Sequence, residues 1–188
     1  FRSVGISLVE TANAWVGDVT RLQSRCTING LAHLQAAVAE GKGVLLLGMH
    51  FGTLDLSGAL LARAQVFDVM YRPNGNALLE HMMAHGRKRH FPRAIIRDDL
   101  RGVIKSLRQG RVLWYGADQD YGPAHSVFAP FMGQSAATIT ATARIVSMTG
   151  ARVIVFEHTR DVTDGTYTIT LSPFDPAFPT GDAIVDAT

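Results

Sequence analysis

The stretch GVLLLGMHFGTLD, at residues 43–55, carries the clearest structural signal in the sequence. Four apolar residues at 44–47 follow a glycine turn, a pattern typical of a β-strand that is buried on both faces. Thr53 is a candidate N-cap for a helix predicted over residues 54–64. A buried strand that leads directly into a helix is the repeating unit of an α/β fold.

The remainder of the chain continues this alternation of strands and helices. Helices are predicted over residues 3–16, 30–40, 77–87 and 135–149, and from an N-cap at Asp98 or Asp99 as far as Gly110. Strands are predicted over residues 66–71, 112–115, 153–156 and 167–171, the last two joined in a hairpin by the turn at 161–165. We therefore predict an α/β fold, with a mixed, largely parallel sheet flanked by helices, in a single domain over residues 1–188.

Composition limits the class of protein. Of the 188 residues, 47% are hydrophobic and 18% are charged, which is enough apolar material for a core and excludes global disorder. No run approaches the roughly 18 consecutive apolar residues that a membrane-spanning helix needs. Cys26 is the single cysteine, so an internal disulfide and a cysteine-based zinc site are excluded.

Charge is distributed unevenly along the chain. Residues 87–111 contain nine Lys or Arg and two acidic residues, a net charge of +7, whereas residues 112–188 carry a net charge of −5. The basic segment indicates either an anionic partner or a solvated helix face. Nucleic acid is the weakest candidate partner, because aromatic residues do not alternate with the basic ones and no nucleic-acid-binding motif is present.

The best candidate for chemistry is the pair His50 and Asp55. The carboxyl ends of strands are where ligands bind in open α/β sheets, and His50 follows the predicted strand there. Across a strand-to-helix turn, Asp55 could accept a hydrogen bond from the imidazole and leave the other ring nitrogen free as a general base. A helix-capping Asp55 and an incidental loop histidine would give the same spacing.

Four sequence blocks, taken together, resemble the lipid A late acyltransferases (lauroyl and myristoyl transferases) of the lysophospholipid-type acyltransferase superfamily. These blocks are the H-x4-D pattern at 50–55, YRPN-x-N at 71–76, a basic helix at 97–107, and WYGADQDYGP with SVF-x-PF at 114–131. Lipid A enzymes usually have Glu at the position of Asp55. The family also has an N-terminal membrane helix and a C-terminal basic segment, so we expect this chain to lack both.

The resemblance implies transfer of a fatty acyl group from a thioester on acyl carrier protein to a hydroxyl of a lipid A precursor. In that reaction His50 would deprotonate the acceptor hydroxyl and Asp55 would orient the imidazole. Backbone N–H groups near Gly52, and Arg72, are candidates to stabilise the oxyanion. The reaction needs no metal and no organic cofactor. The implied location is the cytoplasmic face of the cell inner membrane.

Further residues are candidates for substrate binding. Arg72 could bind a phosphate or carboxylate of the acceptor, or it could be a surface arginine before a turn proline. Asp118 and Asp120 would share one face if the preceding strand continued, and could bind sugar hydroxyls or pair with Arg72; otherwise they are turn residues. Arg101 and Lys105 would face acidic acyl carrier protein or an anionic membrane surface.

The sequence is also compatible with other functions. The chain could acylate another glycolipid or a lysophospholipid, or it could bind lipid or carrier without catalysis. A nucleotide-binding module ranks last, since the chain lacks a G-x-G-x-x-G or P-loop sequence. His81 and His85 have the i, i+4 spacing of zinc ligands, but Met82 follows where a catalytic Glu would stand, and we expect no metal there.

Overall fold

The computed structural model describes residues 1–119, 122–175 and 177–187. Its strands, in chain order, are β1 (Cys26–Asn29), β2 (Val44–Gly48), β3 (Asp68–Tyr71), β4 (Ala94–Ile96), β5 (Val112–Gly116), β6 (Ser126–Phe131), β7 (Gln134–Ile139), β8 (Arg152–Arg160) and β9 (Tyr167–Pro173). In this described part, seven strands form a sheet in the order β1-β9-β8-β2-β5-β3-β4. The pair β8–β9 is antiparallel, and the other neighbours in the sheet are parallel. The predicted α/β class and the largely parallel sheet are confirmed.

Helices cover both faces of this sheet. They are α1 (Arg2–Val16), α2 (Leu31–Ala39), α3 (Leu54–Leu61), α4 (Ala77–Lys88), α5 (Leu100–Arg108) and α6 (Ala141–Thr149). Side chains along β2 alternate between two cores, so that Leu46 packs with α2 and α3 while Leu45 packs with α5 and α6. Both leucines are fully buried, as the apolar run predicted.

The prediction of a single helix over residues 135–149 is wrong in its first part. Residues 134–139 form β7, which pairs antiparallel with β6 in a separate hairpin, and α6 begins only at Ala141. The turn of this hairpin contains Met132 and Gly133, both with positive φ. The hydrogen bonds of the hairpin and the β-branched residues before Ala141 favour the strand over the helix that the small residues suggested.

A buried ion pair anchors α1 to the sheet. Glu10 lies in α1, and its carboxylate accepts hydrogen bonds from Arg160 at 2.6 Å and from the hydroxyl of Tyr167 at 2.7 Å. Burial, together with the bond to Glu10, raises the pKa of Tyr167 to about 12. The anchor holds α1 across α3, where its side chains reach the strand-to-helix turn after β2. None of the described helices has the length and apolarity needed to span a membrane.

Candidate active site

The candidate site lies at one edge of the sheet. Because β2, β3, β4, β5 and β8 run in the same direction, their carboxyl ends meet at this edge. His50 follows β2, and Asp118 follows the neighbouring strand β5. The register of the two strands pairs Gly48 with Gly116, so β2 and β5 end at the same level of the sheet.

His50 and Asp118 are joined by two hydrogen bonds. The Nδ1 atom of the imidazole lies 2.6 Å from Oδ1 of Asp118, and the backbone N–H of His50 donates to Oδ2 at 2.7 Å. The imidazole also packs edge-on against Trp114, with ring centroids 5.5 Å apart. A Cβ atom at Gly116 would collide with the imidazole, so glycine there makes room for the ring.

The charge of Asp118 determines the tautomer of His50. Burial opposes ionisation of Asp118, but the hydrogen bonds from the His50 backbone and imidazole outweigh it, so the pKa of this carboxyl lies below its usual value. An ionised carboxylate only accepts hydrogen bonds, and Nδ1 must therefore carry the shared hydrogen. In the neutral imidazole, Nε2 is then unprotonated, and it has no hydrogen-bond partner within the described ranges. Nε2 is thus available to accept a proton.

Asp55 does not make the predicted hydrogen bond to His50. Its carboxylate accepts from Thr11 at 3.4 Å and from the indole N–H of Trp15 at 3.3 Å, both on α1. Asp55 lies in the first turn of α3, as predicted, and it lines the same cavity as His50. The orienting contact that the sequence assigned to Asp55 is made by Asp118 in the structure, because β5 rather than α3 brings a carboxylate to Nδ1.

His158 holds the loop of His50 from the other side. This residue lies on β8, is 3% exposed, and has its Nδ1 2.6 Å from the hydroxyl of Thr53. Its Nε2 donates to the carbonyl oxygen of Met49 at 3.4 Å, so Nδ1 is the acceptor for Thr53. Thr53 is the N-cap residue of α3, but its hydroxyl bonds to His158 instead of capping the helix. The loop is therefore fixed by both strands that flank β2.

We expect His158 to make stability depend on pH. Burial lowers the pKa of its imidazole, and the bond to Met49 only partly opposes this effect. Between the usual value of about 6.5 and the lower folded value, the unfolded chain binds more protons, so stability falls as the pH falls. Urea unfolding at about pH 7.5 and about pH 5 should show a smaller loss of unfolding free energy in His158→Gln than in wild type.

His33→Gln is the matched control for this prediction, because His33 is exposed on α2. The control should retain the pH dependence of the wild type. An equal loss of stability in wild type and His158→Gln would contradict the neutral, buried state of His158.

A cavity of about 280 Å³ opens beside His50. Its apolar wall is formed by side chains from α3, β3, β5 and β8 and from the segments before β3 and after α4: Leu54, Phe67, Val69, Phe91, Trp114 and Phe156. Its polar lining includes His50, Asp55, Arg72, Arg87 and Arg97. The cavity therefore joins an apolar wall, a proton acceptor and a cationic region, and its volume is close to the ~300 Å³ at which small-molecule sites begin.

The other predicted site residues are distributed unequally around this cavity. Arg72 lines it and is exposed, whereas Arg101 and Lys105 lie on the exposed face of α5, outside the cavity. Gly52 lies against Ser7 of α1, which a Cβ atom at residue 52 would strike. The strand β5 ends at Gly116, so the premise that residues 118 and 120 share a strand face is wrong.

Asp120 lies outside the described residues, and its predicted role is not addressed by the geometry. Three residues of the site were missed from the sequence, namely His158, Arg87 and Arg97. His158 has no sequence pattern, whereas Arg87 and Arg97 belong to the basic segment 87–111, which does not indicate that they line the cavity. The fold brings all three to His50 from positions distant in the chain. In the described residues, His81 and His85 stack at 6.5 Å between ring centroids, and no group of three or more metal-ligating side chains is found.

Comparison with known proteins identifies the family. The profile of the family described as bacterial lipid A biosynthesis acyltransferase matches residues 1–183. The chain is 36% identical over 184 residues to lipid A biosynthesis lauroyltransferase of Escherichia coli K12, covering 97% of this chain and 60% of the relative. It is 33% identical over 183 residues to the palmitoleoyltransferase of the same strain, with the same two coverages.

A relative from another organism agrees. A lipid A biosynthesis acyltransferase of Haemophilus influenzae is 34% identical over 173 residues, covering 91% of this chain and 55% of the relative. The chain thus spans about 60% of the length of the first two relatives. The profile match over nearly all residues, together with identities above 30%, shows that the chain belongs to the bacterial lipid A biosynthesis acyltransferase family.

Proposed function

We propose that the full-length protein transfers a fatty acyl group from a thioester on acyl carrier protein to a hydroxyl of a lipid A precursor. One observation carries the proposal. Nε2 of His50 is free to accept a proton, and it lies at the wall of a cavity with both apolar and polar lining residues. The relatives are named for lauroyl, palmitoleoyl and myristoyl transfer in lipid A biosynthesis, which supports this acceptor.

In the proposed reaction, Nε2 of His50 removes the proton of the acceptor hydroxyl. The hydroxyl oxygen attacks the thioester carbonyl carbon and forms a tetrahedral intermediate. The C–S bond then breaks, and the imidazolium returns the proton to the departing thiolate. The products are an ester on the acceptor and a free thiol on the carrier, so no covalent enzyme intermediate is needed.

Carboxylates on two sides would assist the base. Asp118 orients the imidazole through Nδ1 and stabilises the imidazolium, as the acidic member of a catalytic triad does. Asp55 contributes negative charge to the cavity wall and ties α3 to α1. Asp120 remains a candidate for binding sugar hydroxyls.

The oxyanion needs hydrogen-bond donors that are in place before the reaction. In the first turn of α3, the backbone N–H groups of Leu54 and Ser57 donate to Phe51 and Thr53, whereas those of Asp55 and Leu56 have no acceptor among the described residues. We propose the last two groups, with the N–H of Gly52, as the oxyanion donors. Arg72 would bind the acceptor.

We also propose that the protein works at the cytoplasmic face of the inner membrane. The exposed basic face of α5, with Arg101 and Lys105, is suited to an acidic carrier protein or an anionic membrane surface. The β6–β7 hairpin follows the carboxyl end of β5 and exposes large apolar side chains: Phe128 at 71%, Phe131 at 62% and Met132 at 90%. Such a hairpin fits a lipid interface.

The double variant Phe131→Ser, Met132→Ser is expected to bind vesicles of anionic phospholipid more weakly than the wild-type chain. Moving two such side chains out of the lipid interface should lower the partition coefficient by about ten-fold or more. Sedimentation with vesicles measures this. Val66→Ser is the control, because Val66 is about as exposed as Phe131 but precedes β3 at the opposite edge of the sheet. Equal losses in both variants would contradict docking through the hairpin.

Product analysis tests the proposed reaction itself. Purified full-length protein is incubated with acyl carrier protein loaded with fatty acid, and with a lipid A precursor, a lysophospholipid or an unrelated glycolipid. Mass spectrometry should find a new ester on the lipid A precursor alone. Acylation of one of the other acceptors, with none of the lipid A precursor, would contradict the proposed substrate.

A further inference from the structure

The charged lining of the active-site cavity is mainly cationic. Among the described residues that form it, three are arginines, Arg72, Arg87 and Arg97, and Asp55 is the one carboxylate. Arg72 follows β3, Arg87 lies in the last turn of α4, and Arg97 follows β4. Three separate elements therefore bring a guanidinium to one cavity. We call these three residues the arginine cluster.

Several other arginines of the chain are held by protein acceptors. Arg111 pairs with Asp68, Arg152 with Glu40 and Arg160 with Glu10. These pairs neutralise the cations and fix them in place. Such arginines serve the fold and leave no charge for a ligand.

Two members of the arginine cluster, Arg72 and Arg87, differ in this respect, whereas Arg97 lies 3.4 Å from the carboxylate of Asp98. Arg72 makes no hydrogen bond or ion pair with the described residues, and Asp55 bonds only to Thr11 and Trp15 of α1. The guanidinium of Arg87 lies over the ring of Tyr71, 5.0 Å from its centroid. The Nη1 atom of Arg87 is buried and has no hydrogen-bond partner among the described residues. A buried donor on a cation costs free energy unless an acceptor compensates it.

We propose that the arginine cluster binds an oxyanion, a phosphate or a carboxylate, that one of the two substrates carries. The proposal rests on the proposed function and adds Arg87 as a binding residue beside Arg72. Guanidinium groups bind such anions through paired hydrogen bonds, and the Tyr71 ring fixes the plane of Arg87. The anion comes from the acceptor sugar or from the phosphodiester of the carrier's thioester arm.

The arginine cluster and the apolar wall of the cavity suit different parts of the substrates. The arginines hold the charged group, while Leu54, Phe67 and Phe156 offer an apolar wall to the acyl chain. His50 lines the same cavity, where its Nε2 would meet the hydroxyl of the acceptor. Anion binding therefore helps to place the reacting hydroxyl at Nε2.

Binding can be tested without turnover. Trp114 lines the cavity, so its fluorescence should change as glucosamine 1-phosphate is added, and should not change with glucosamine. Arg87→Gln is expected to weaken binding by about 10- to 100-fold, because it removes a charge-assisted pair of hydrogen bonds. Arg87→Lys keeps the charge but loses the paired donors of the guanidinium, so its affinity for the phosphate should lie between those of wild type and Arg87→Gln.

Arg144→Gln is the matched control, since Arg144 is exposed, makes no side-chain bond with the described residues and lies outside the cavity. It should bind the phosphate like wild type. Equal binding by wild type and Arg87→Gln, equal responses to both sugars, or an equal loss in Arg144→Gln would overturn the proposal. If Arg87→Gln fails to fold in a thermal melt, Arg72→Gln provides the same measurement at an exposed position.

Kinetics on the full-length protein then identify the source of the anion. A higher KM for the acceptor in Arg87→Gln assigns the anion to the acceptor, and a higher KM for the acyl donor assigns it to the carrier arm. Both results support the arginine cluster, whereas two unchanged KM values contradict it. Phosphate binding without acyl transfer would refute the proposed function alone, and transfer without selective phosphate binding would refute the arginine cluster alone.

Discussion

Replacing His50 with Gln is expected to lower kcat for acyl transfer by about 10²- to 10⁴-fold, the usual contribution of a general base. Glutamine keeps a polar side chain at this position but offers no nitrogen that accepts the hydroxyl proton. His50 is partly exposed, so the substitution should leave the fold intact. The measurement is steady-state kinetics of the full-length protein, with circular dichroism as the check on folding.

His33→Gln serves as the control for this experiment, because His33 lies on the exposed side of α2 and does not line the cavity of His50. It should keep the activity of the wild type. A folded His50→Gln protein with wild-type kcat would exclude His50 as the base.

Asp118→Asn is expected to cause a comparable loss, about 10²- to 10⁴-fold in kcat. The amide can donate to Nδ1 as well as accept from it, so the tautomer with a free Nε2 is no longer selected. Asp118→Asn should also shift the NMR signals of the His50 imidazole, because the carboxylate of Asp118 is hydrogen-bonded directly to the ring.

Asp55→Asn is the matched comparison, with the same change of carboxylate to amide in the same site. It leaves the bond between His50 and Asp118 in place, so the imidazole signals should stay unchanged. It should lower the melting temperature instead, because it weakens the acceptor for Thr11 and Trp15. Shifted imidazole signals in Asp55→Asn and unshifted signals in Asp118→Asn would return the orienting role to Asp55.

Acid pH is expected to weaken the contact between His50 and Asp118. Because the folded-state pKa of Asp118 lies below its usual value, the stabilising contribution of its ionised form is present above that usual value. It is lost as the pH falls through the folded pKa. The orientation of His50 by Asp118 is therefore intact at neutral pH.

Local patterns were sufficient to predict the framework around His50. The apolar run 44–47 is a strand buried on both faces, and Asp55 lies in the first turn of α3. Asp99 caps α5 through the N–H of Gly102, one of the two caps that the sequence offered. These features depend on neighbours within a few residues, so periodicity and capping chemistry identify them.

Contacts between distant segments could not be predicted in this way. The partner of His50 was assigned to Asp55, five residues away, whereas Asp118 reaches it because β5 lies next to β2 in the sheet. The sequence does not reveal that strand order. Residues 135–139 were misassigned for a similar reason, since pairing with β6 overrides the helical preference of small residues.

Lipid A from cells that lack the full-length gene tests the central claim most directly. The cells are complemented with wild type or with His50→Gln at equal protein levels, and their lipid A is analysed by mass spectrometry. We predict that one acyl chain is missing without the gene, that wild type restores it and that His50→Gln does not. An unchanged lipid A profile in cells without the gene, or full restoration by His50→Gln, would contradict the account.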